Sequence, residues 1–176
     1  MRIYVASSWR NNYQQEVVRV LREQGHDVYD FRNPAPDNQG FQWSQIDPDW
    51  LCWDPEKFRR ALLHPIAVDG FESDRDALEG CDICVLVLPA GRSSHLEAGY
   101  AIGERKPTIV FMPEPCEPEL MYSFARKIVV NFHELVFAVA DRSRAGRRSR
   151  KSSATSWGKF VGARASRPPG ILNDEG

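Results

Sequence analysis

The chain has 176 residues, 42% hydrophobic and 27% charged, with a formal net charge of −1. This is an ordinary globular composition, sufficient for one domain with a core of its own. No apolar run approaches the roughly 18–20 residues of a membrane span, which excludes that class of function.

The charge is unevenly spread. From residue 141 onward nine Lys and Arg face three acids, a net of +6 that leaves −7 for residues 1–140. A mildly acidic body argues against a nucleic-acid-binding core. The four cysteines, Cys52, Cys81, Cys84 and Cys116, lack the spacing of an extracellular disulfide framework. With no signal-peptide shape at its start, the chain reads as cytoplasmic, with reduced thiols and no membrane partner.

Residues 2–6 are a short β-rich run that ends in Ser7 and Ser8, residues suited to a loop and a helix cap. Residues 12–24 carry Val17, Val18, Val20 and Leu21 at helical spacing, and Gly25 stops them. Residues 26–31 read as a second strand, so the opening predicts a right-handed parallel βαβ unit.

Residues 33–53 form a long loop with Pro34, Pro36, Gly40 and Pro48 among Phe41, Trp43, Trp50 and Trp53. A long loop in a compact domain is usually functional or disordered, and four large aromatics argue against disorder. Helices are expected over 55–63 and 73–79. Residues 82–88 are apolar on both faces, as a central parallel strand should be. A turn leads to a helix over 94–104, a strand over 107–112, a short helix over 118–125, a weak strand over 127–130 and a last helix over 132–139. Such alternation predicts an α/β, flavodoxin-like three-layer sandwich with a five-stranded, mainly parallel sheet. Residues 141–176 read as a basic, disordered tail.

Ligands of parallel α/β sheets bind outside the carboxyl ends of the strands. The loops expected there carry Ser7, Ser8 and Arg10, then the aromatic group including Trp43, then Gly91, Arg92, Ser93, Ser94, His95 and Glu97. Gly91 allows close backbone approach, and the helix start that follows suits an anion. Arg10 and Arg92 are candidate phosphate ligands, and Trp43 a candidate for stacking a base. Ser94 and Glu97 also fit a capping box, which would make Glu97 purely structural. Asp74 is a second carboxylate expected near the sheet edge. Paired carboxyls cleave glycosidic bonds, one attacking or stabilising the sugar carbon and one protonating the leaving group. Cys81 and Cys84 enter a buried strand, so their CxxC spacing is not read as a redox pair.

Glu97-Ala-Gly-Tyr100-Ala, after a strong strand and a small-residue loop, resembles the nucleoside 2-deoxyribosyltransferase family, which includes the related nucleoside 5′-monophosphate N-glycosidases. The opening Met1-Arg-Ile-Tyr-Val-Ala-Ser-Ser and the placing of Asp74 eight residues before Asp82 resemble it too. The resemblance spans residues 1–140. It implies that Glu97 is the nucleophile at C1′, that Asp74 protonates the base, and that Tyr100 orients Glu97. Ser7, Ser93 and Ser94 would hold the sugar or its 5′ end. The segment with Glu119 and Met121 resembles one that reaches a neighbouring subunit's site, so a homo-oligomer is implied. The implied substrate is a small nucleoside or nucleotide, and no metal or other cofactor is implied. The sequence departs from the family at Gly91, where many members carry Asp, and at Glu119, where Asn or Ser is common. The alternatives are a TIR-like NAD glycohydrolase and a non-catalytic flavodoxin-like nucleotide-binding module.

Overall fold

The computed structural model describes the backbone of residues 1–145 and the side chains of residues 1–141. Five strands, β1 (Arg2–Ala6), β2 (Asp27–Tyr29), β3 (Ile83–Val87), β4 (Thr108–Phe111) and β5 (Lys127–Val129), form one sheet in the order β2-β1-β3-β4-β5. Every neighbouring pair is parallel. The helices are α1 (Gln14–Glu23), α2 (Pro55–Ala61), α3 (Pro65–Gly80), α4 (Arg92–Gly103) and α5 (Phe132–Ala145). The order reverses between β1 and β3, so the switch point lies where their carboxyl ends part. None of the described helices is long and apolar enough to cross a membrane.

Two hydrophobic layers flank the sheet. Ile3 and Val5 of β1 join Val17 and Leu21 of α1 and Leu135 and Val139 of α5 on one side. Tyr4 and Ala6, the alternate residues, join Leu78 of α3 and Ala98 and Ala101 of α4 on the other. The strand period of two thus assigns each β1 side chain to a layer. All five residues of β3 are buried, because helices cover both of its faces. Each large aliphatic side chain so buried contributes about 1.5–3 kcal/mol of transfer free energy.

Several elements differ from expectation. Helix α3 begins at Pro65, eight residues before the expected start at 73. Pro65 does not break this helix but opens it, with His64 as N-cap accepting a hydrogen bond from the Ile66 amide. Proline fits the first turn, where its missing N–H is not needed. Asp74 therefore lies in the middle of a 16-residue helix. Helix α4 begins at Arg92 rather than Ser94, and residues 120–124 form a 3-10 turn in place of a short α-helix. Helix α5 continues to Ala145, past the boundary expected at residue 140. The rest of the basic segment lies outside the described residues.

The loop between β2 and α2 is held through two glycines, one in the loop and one on α3. Gly40 has φ +72°, and a Cβ there would lie 2.1 Å from the Phe31 carbonyl oxygen. Only glycine accommodates that backbone and that approach. Gly70 of α3 plays the complementary part: a Cβ would fall 2.8 Å from Cβ of Phe41, so Phe41 rests against bare helix backbone.

Candidate active site

The side of the sheet that carries α3 and α4 brings four polar groups together. Tyr4 points from the middle of β1 and is 1% exposed. Tyr29, the last residue of β2, stacks on it with ring centroids 5.4 Å apart and planes 13° apart. Asp74 reaches in from α3 and Glu97 from α4, both partly buried. The Tyr29 hydroxyl donates to Asp74 Oδ1 at 2.9 Å. Its one proton is thereby used, so the 3.0 Å contact with Ser73 is a donation from the serine. The Tyr4 hydroxyl is buried and has no hydrogen-bond partner of ordinary length among the described residues. It nevertheless lies close enough to Glu97 to favour the ionised carboxylate.

Electrostatics couple the group. Burial pushes the Glu97 carboxyl up to about 7, the charge of Asp74 adds to the shift, and Tyr4 opposes it. Burial also raises Asp74, partly offset by the Tyr29 hydroxyl. The carboxyl that ionises second feels the charge of the first, which is why the repulsion acts on Glu97. Both tyrosines are raised as well, by burial first and then by the two carboxylates. Up to about pH 7 the Glu97 carboxyl keeps its proton beside Asp74, and the two titrate as a coupled pair.

Helix α4 delivers Glu97 free of any capping duty. Its N-cap is Gly91, with extended backbone and no side-chain cap, so Glu97 falls in the second turn. The expected capping box between Ser94 and Glu97 is not formed. Ser94 is instead buried in the first turn, while Arg92 and Ser93 are exposed at the uncapped helix start.

Beside Asp74 lies a cavity of about 210 Å³, between the loop after β2 and one face of α3. Phe31, Pro34 and Phe41 supply its apolar wall, and Tyr29, Ser73 and Asp74 close the end next to the carboxyl pair. Glu97 does not line it.

The other expected site residues are distributed as follows. Ser7 is buried, and its hydroxyl donates to the Val87 carbonyl at 3.0 Å, tying the end of β1 to the end of β3. Ser8 Oγ accepts from the Arg10 amide, and the Arg10 side chain is exposed. Tyr100 is exposed and donates to Glu79 at 3.0 Å, so orienting Glu97 does not fall to it. Tyr4, on the strand beneath, is the tyrosine whose hydroxyl lies near Glu97. Trp43 packs edge-on against Phe41, Trp53 and Phe58 and lies outside the cavity, whose aromatic wall is Phe31 and Phe41. His95 bridges the Gly91 carbonyl at 2.7 Å and the Tyr122 hydroxyl at 2.9 Å. Glu119 caps the 3-10 turn through the Met121 amide, and Met121 is exposed. Cys81 and Cys84 are free thiols that burial raises, the opposite of an activated pair.

Several residues that organise the site carry no motif. Asn11 Oδ1 accepts from the Tyr13 and Gln14 amides, and its Nδ2 donates to the Pro89 carbonyl at 2.9 Å. Arg32 holds the loop after β1 through the carbonyls of Ser8, Trp9 and Asn11. Asp30, 2% exposed, is pushed up by burial, but hydrogen bonds from Asn33, Gln14 and the Arg32 amide outweigh it and keep the carboxyl below its ordinary value. Alternation within β1 and β2 was the one available signal for Tyr4 and Tyr29: each is a polar-tipped side chain on an inward position of a strand.

No family model matches the sequence, and no curated protein matches it. Solved structures do. A 2-deoxyribosyltransferase from Bacillus psychrosaccharolyticus superposes with a TM-score of 0.50 at 20% identity, covering 77% of this chain and 90% of that one. A CMP N-glycosidase from Clostridium botulinum gives 0.45 at 15% identity, over 80% of this chain and 99% of that one. The all-parallel β2-β1-β3-β4-β5 sandwich of this chain is the flavodoxin-like fold that it shares with the Bacillus 2-deoxyribosyltransferase.

Proposed function

We propose that this chain is an enzyme that cleaves or transfers the N-glycosidic bond of a nucleoside or its 5′-monophosphate, as a relative of the nucleoside 2-deoxyribosyltransferases. The observation that carries the reading is the convergence of Glu97 and Asp74 from two helices, both carboxyls raised by burial, beside a buried hydroxyl and a cavity. Glycoside chemistry needs one carboxylate and one carboxylic acid at the same bond.

In this reading a Glu97 oxygen bonds to C1′ as the C1′–N bond breaks. The bonding pair passes to the base nitrogen, which takes the proton of Asp74. A second base or water then gives its proton to Asp74 and bonds to C1′, releasing Glu97. In the empty site the shared proton favours Glu97. A base nitrogen set against Asp74 and the Tyr4 hydroxyl turned to Glu97 would together move it to Asp74. The cavity takes the leaving base, because Asp74 lines it and Glu97 does not.

The sugar's 5′ end is assigned to the exposed start of α4. Ser93 and Arg92 stand there beside an uncapped helix end, and Gly91 brings no carboxylate, which favours a phosphate. Ser8 and Arg10 face the same sheet edge from the loop after β1. Leu120 at 80% exposed, Met121 and Phe124 support a surface that a second copy covers in a homo-oligomer.

The deciding experiment incubates the protein with deoxynucleosides, ribonucleosides and their 5′-monophosphates, with and without an acceptor base. Base release or exchange that disappears in Glu97→Ala is the expected result. Activity near wild type in that variant ends the assignment.

A further inference from the structure

We propose that the cavity beside Asp74 selects bases that carry an exocyclic amino group, with Asp69 as the acceptor that reads it. This rests on the glycosidic reading above and names the leaving group of that same site.

Ile66, Asp69, Gly70, Ser73 and Asp74 follow one another on a single face of α3, at helical spacing, and all five line the cavity. At about 210 Å³ it is smaller than the roughly 300–1,000 Å³ sites that take drug-sized ligands, so a single heterocycle is the size it suits. Phe31 and Phe41 offer rings for the flat faces of a base.

The charged lining is one-sided. Two carboxyls, Asp69 and Asp74, face the space, and no Lys, Arg or His does. The two amide oxygens are already committed to the loop. Asn38 Oδ1 accepts from the Gly40 amide, and Gln45 Oε1 accepts from the Gln42 amide while its Nε2 donates to the Gly40 carbonyl. Asp74 is engaged by Tyr29 and reserved for the glycosidic nitrogen. Asp69 is exposed and has no hydrogen bond or ion pair among the described residues. It is the acceptor left over, five residues and about one and a half helical turns before Asp74.

An amino N–H donated to that carboxylate is a charge-assisted hydrogen bond. The keto oxygen of the matching base puts a lone pair in the same place and is repelled. Its ring N–H does not make up the loss, because a carbonyl stands beside it. Adenine is therefore preferred over hypoxanthine, and cytosine over uracil. Hydrogen bonds to charged groups correspond to about 10- to 100-fold in affinity. The lower figure is expected here, because Asp69 is open to water.

The test measures binding of the four free bases to the full chain by calorimetry, in wild type, Asp69→Asn and Glu97→Gln. The wild type and Glu97→Gln should each bind the amino member of a pair about 10-fold more tightly. Asp69→Asn should bring that ratio close to one through weaker amino-base binding, with an unchanged circular dichroism spectrum. Equal binding within the pairs, no binding of any base, or a ratio that survives Asp69→Asn overturns the inference. Base release assayed in parallel separates it from the parent reading. Selective binding without release from any nucleoside or 5′-monophosphate sinks the glycosidic reading and leaves the pocket assignment standing. Equal release from adenine and hypoxanthine nucleosides, with equal binding, does the reverse.

Discussion

The Tyr29 hydroxyl donates to Asp74 at 2.9 Å while its ring lies stacked on Tyr4, so one side chain fixes the carboxyl from α3 and braces the hydroxyl that faces Glu97. Tyr29→Phe keeps the stack and removes the hydrogen bond. Asp74 then loses the group that lowers it, and its carboxyl rises further from burial alone. The expected result is a kcat about 10-fold or more below wild type, the usual cost of a mispositioned acid, with KM for the sugar little changed. An unaltered kcat would show that Asp74 needs no such anchor.

The shared proton dictates the pH profile. Attack requires one carboxylate, and protonation of the base requires one carboxylic acid, so the active form is the pair that carries a single proton. The rate rises with pH as the first proton leaves and falls as the last one leaves. That second loss is governed by Glu97, pushed up to about 7 by burial and by Asp74. A bell-shaped kcat/KM with its alkaline limb near pH 7 is expected, and those limits belong to the pair rather than to either residue. Asp74→Asn removes the charge that raises Glu97 and should move its titration down, measurable by 13C NMR of the glutamate carboxyls. A flat profile from pH 6 to 9 is incompatible with a two-carboxyl mechanism.

The same shift weakens the fold at neutral pH. An unfolded Glu97 ionises near 4.5, whereas the folded one holds its proton to about 7. Between those values the native state binds more protons than the unfolded state, so stability falls as pH rises through the window. The stabilisation is complete below pH 4.5 and lost above 7. At 1.36 kcal/mol per unit this is about 3 kcal/mol. Glu97→Gln should therefore abolish base release and raise the melting temperature at pH 8, with a much smaller gain at pH 4.5. Melting curves at the two pH values check this, and an equal gain at both would mean that Glu97 is not held protonated by its surroundings.

The fold was legible because its signals are local and repeat. Val17, Val18 and Leu21 mark one face of α1, and the unbroken apolar run of β3 marks a strand covered on both sides. The start of α3 was not legible, because Pro65 and Gly70 look like breakers; one opens the helix and the other receives Phe41. The carboxyl pair was legible from spacing, since Asp74 and Glu97 flank the strongest strand. Their orientation was not. The reading of Tyr100 as the residue that orients Glu97 followed proximity along the chain, but its hydroxyl is bonded to Glu79. The sheet instead puts Tyr4, 93 residues away, beneath the carboxylate. Arg32 and Asn11 could not be found at all. Their partners are mostly backbone carbonyls and amides, which have no sequence signature.

Two helical glycines should respond in opposite ways to alanine. At Gly99 in α4 a Cβ meets nothing within 4 Å. Gly99→Ala gains the helix propensity of about 0.5–1 kcal/mol without a steric cost. At Gly70 a Cβ lies 2.8 Å from Cβ of Phe41. There the same gain is outweighed by overpacking, which costs about 1–3 kcal/mol. Moving Phe41 also shifts one wall of the cavity beside Asp74. Gly70→Ala should therefore lower stability by about 1–2 kcal/mol and raise KM for the base-bearing substrate, while Gly99→Ala raises stability. Urea denaturation with initial-rate kinetics reads both effects. If Gly99→Ala stabilises the fold yet raises KM, the exposed face of α4 two residues past Glu97 is also part of the substrate site, and the sugar must lie across it.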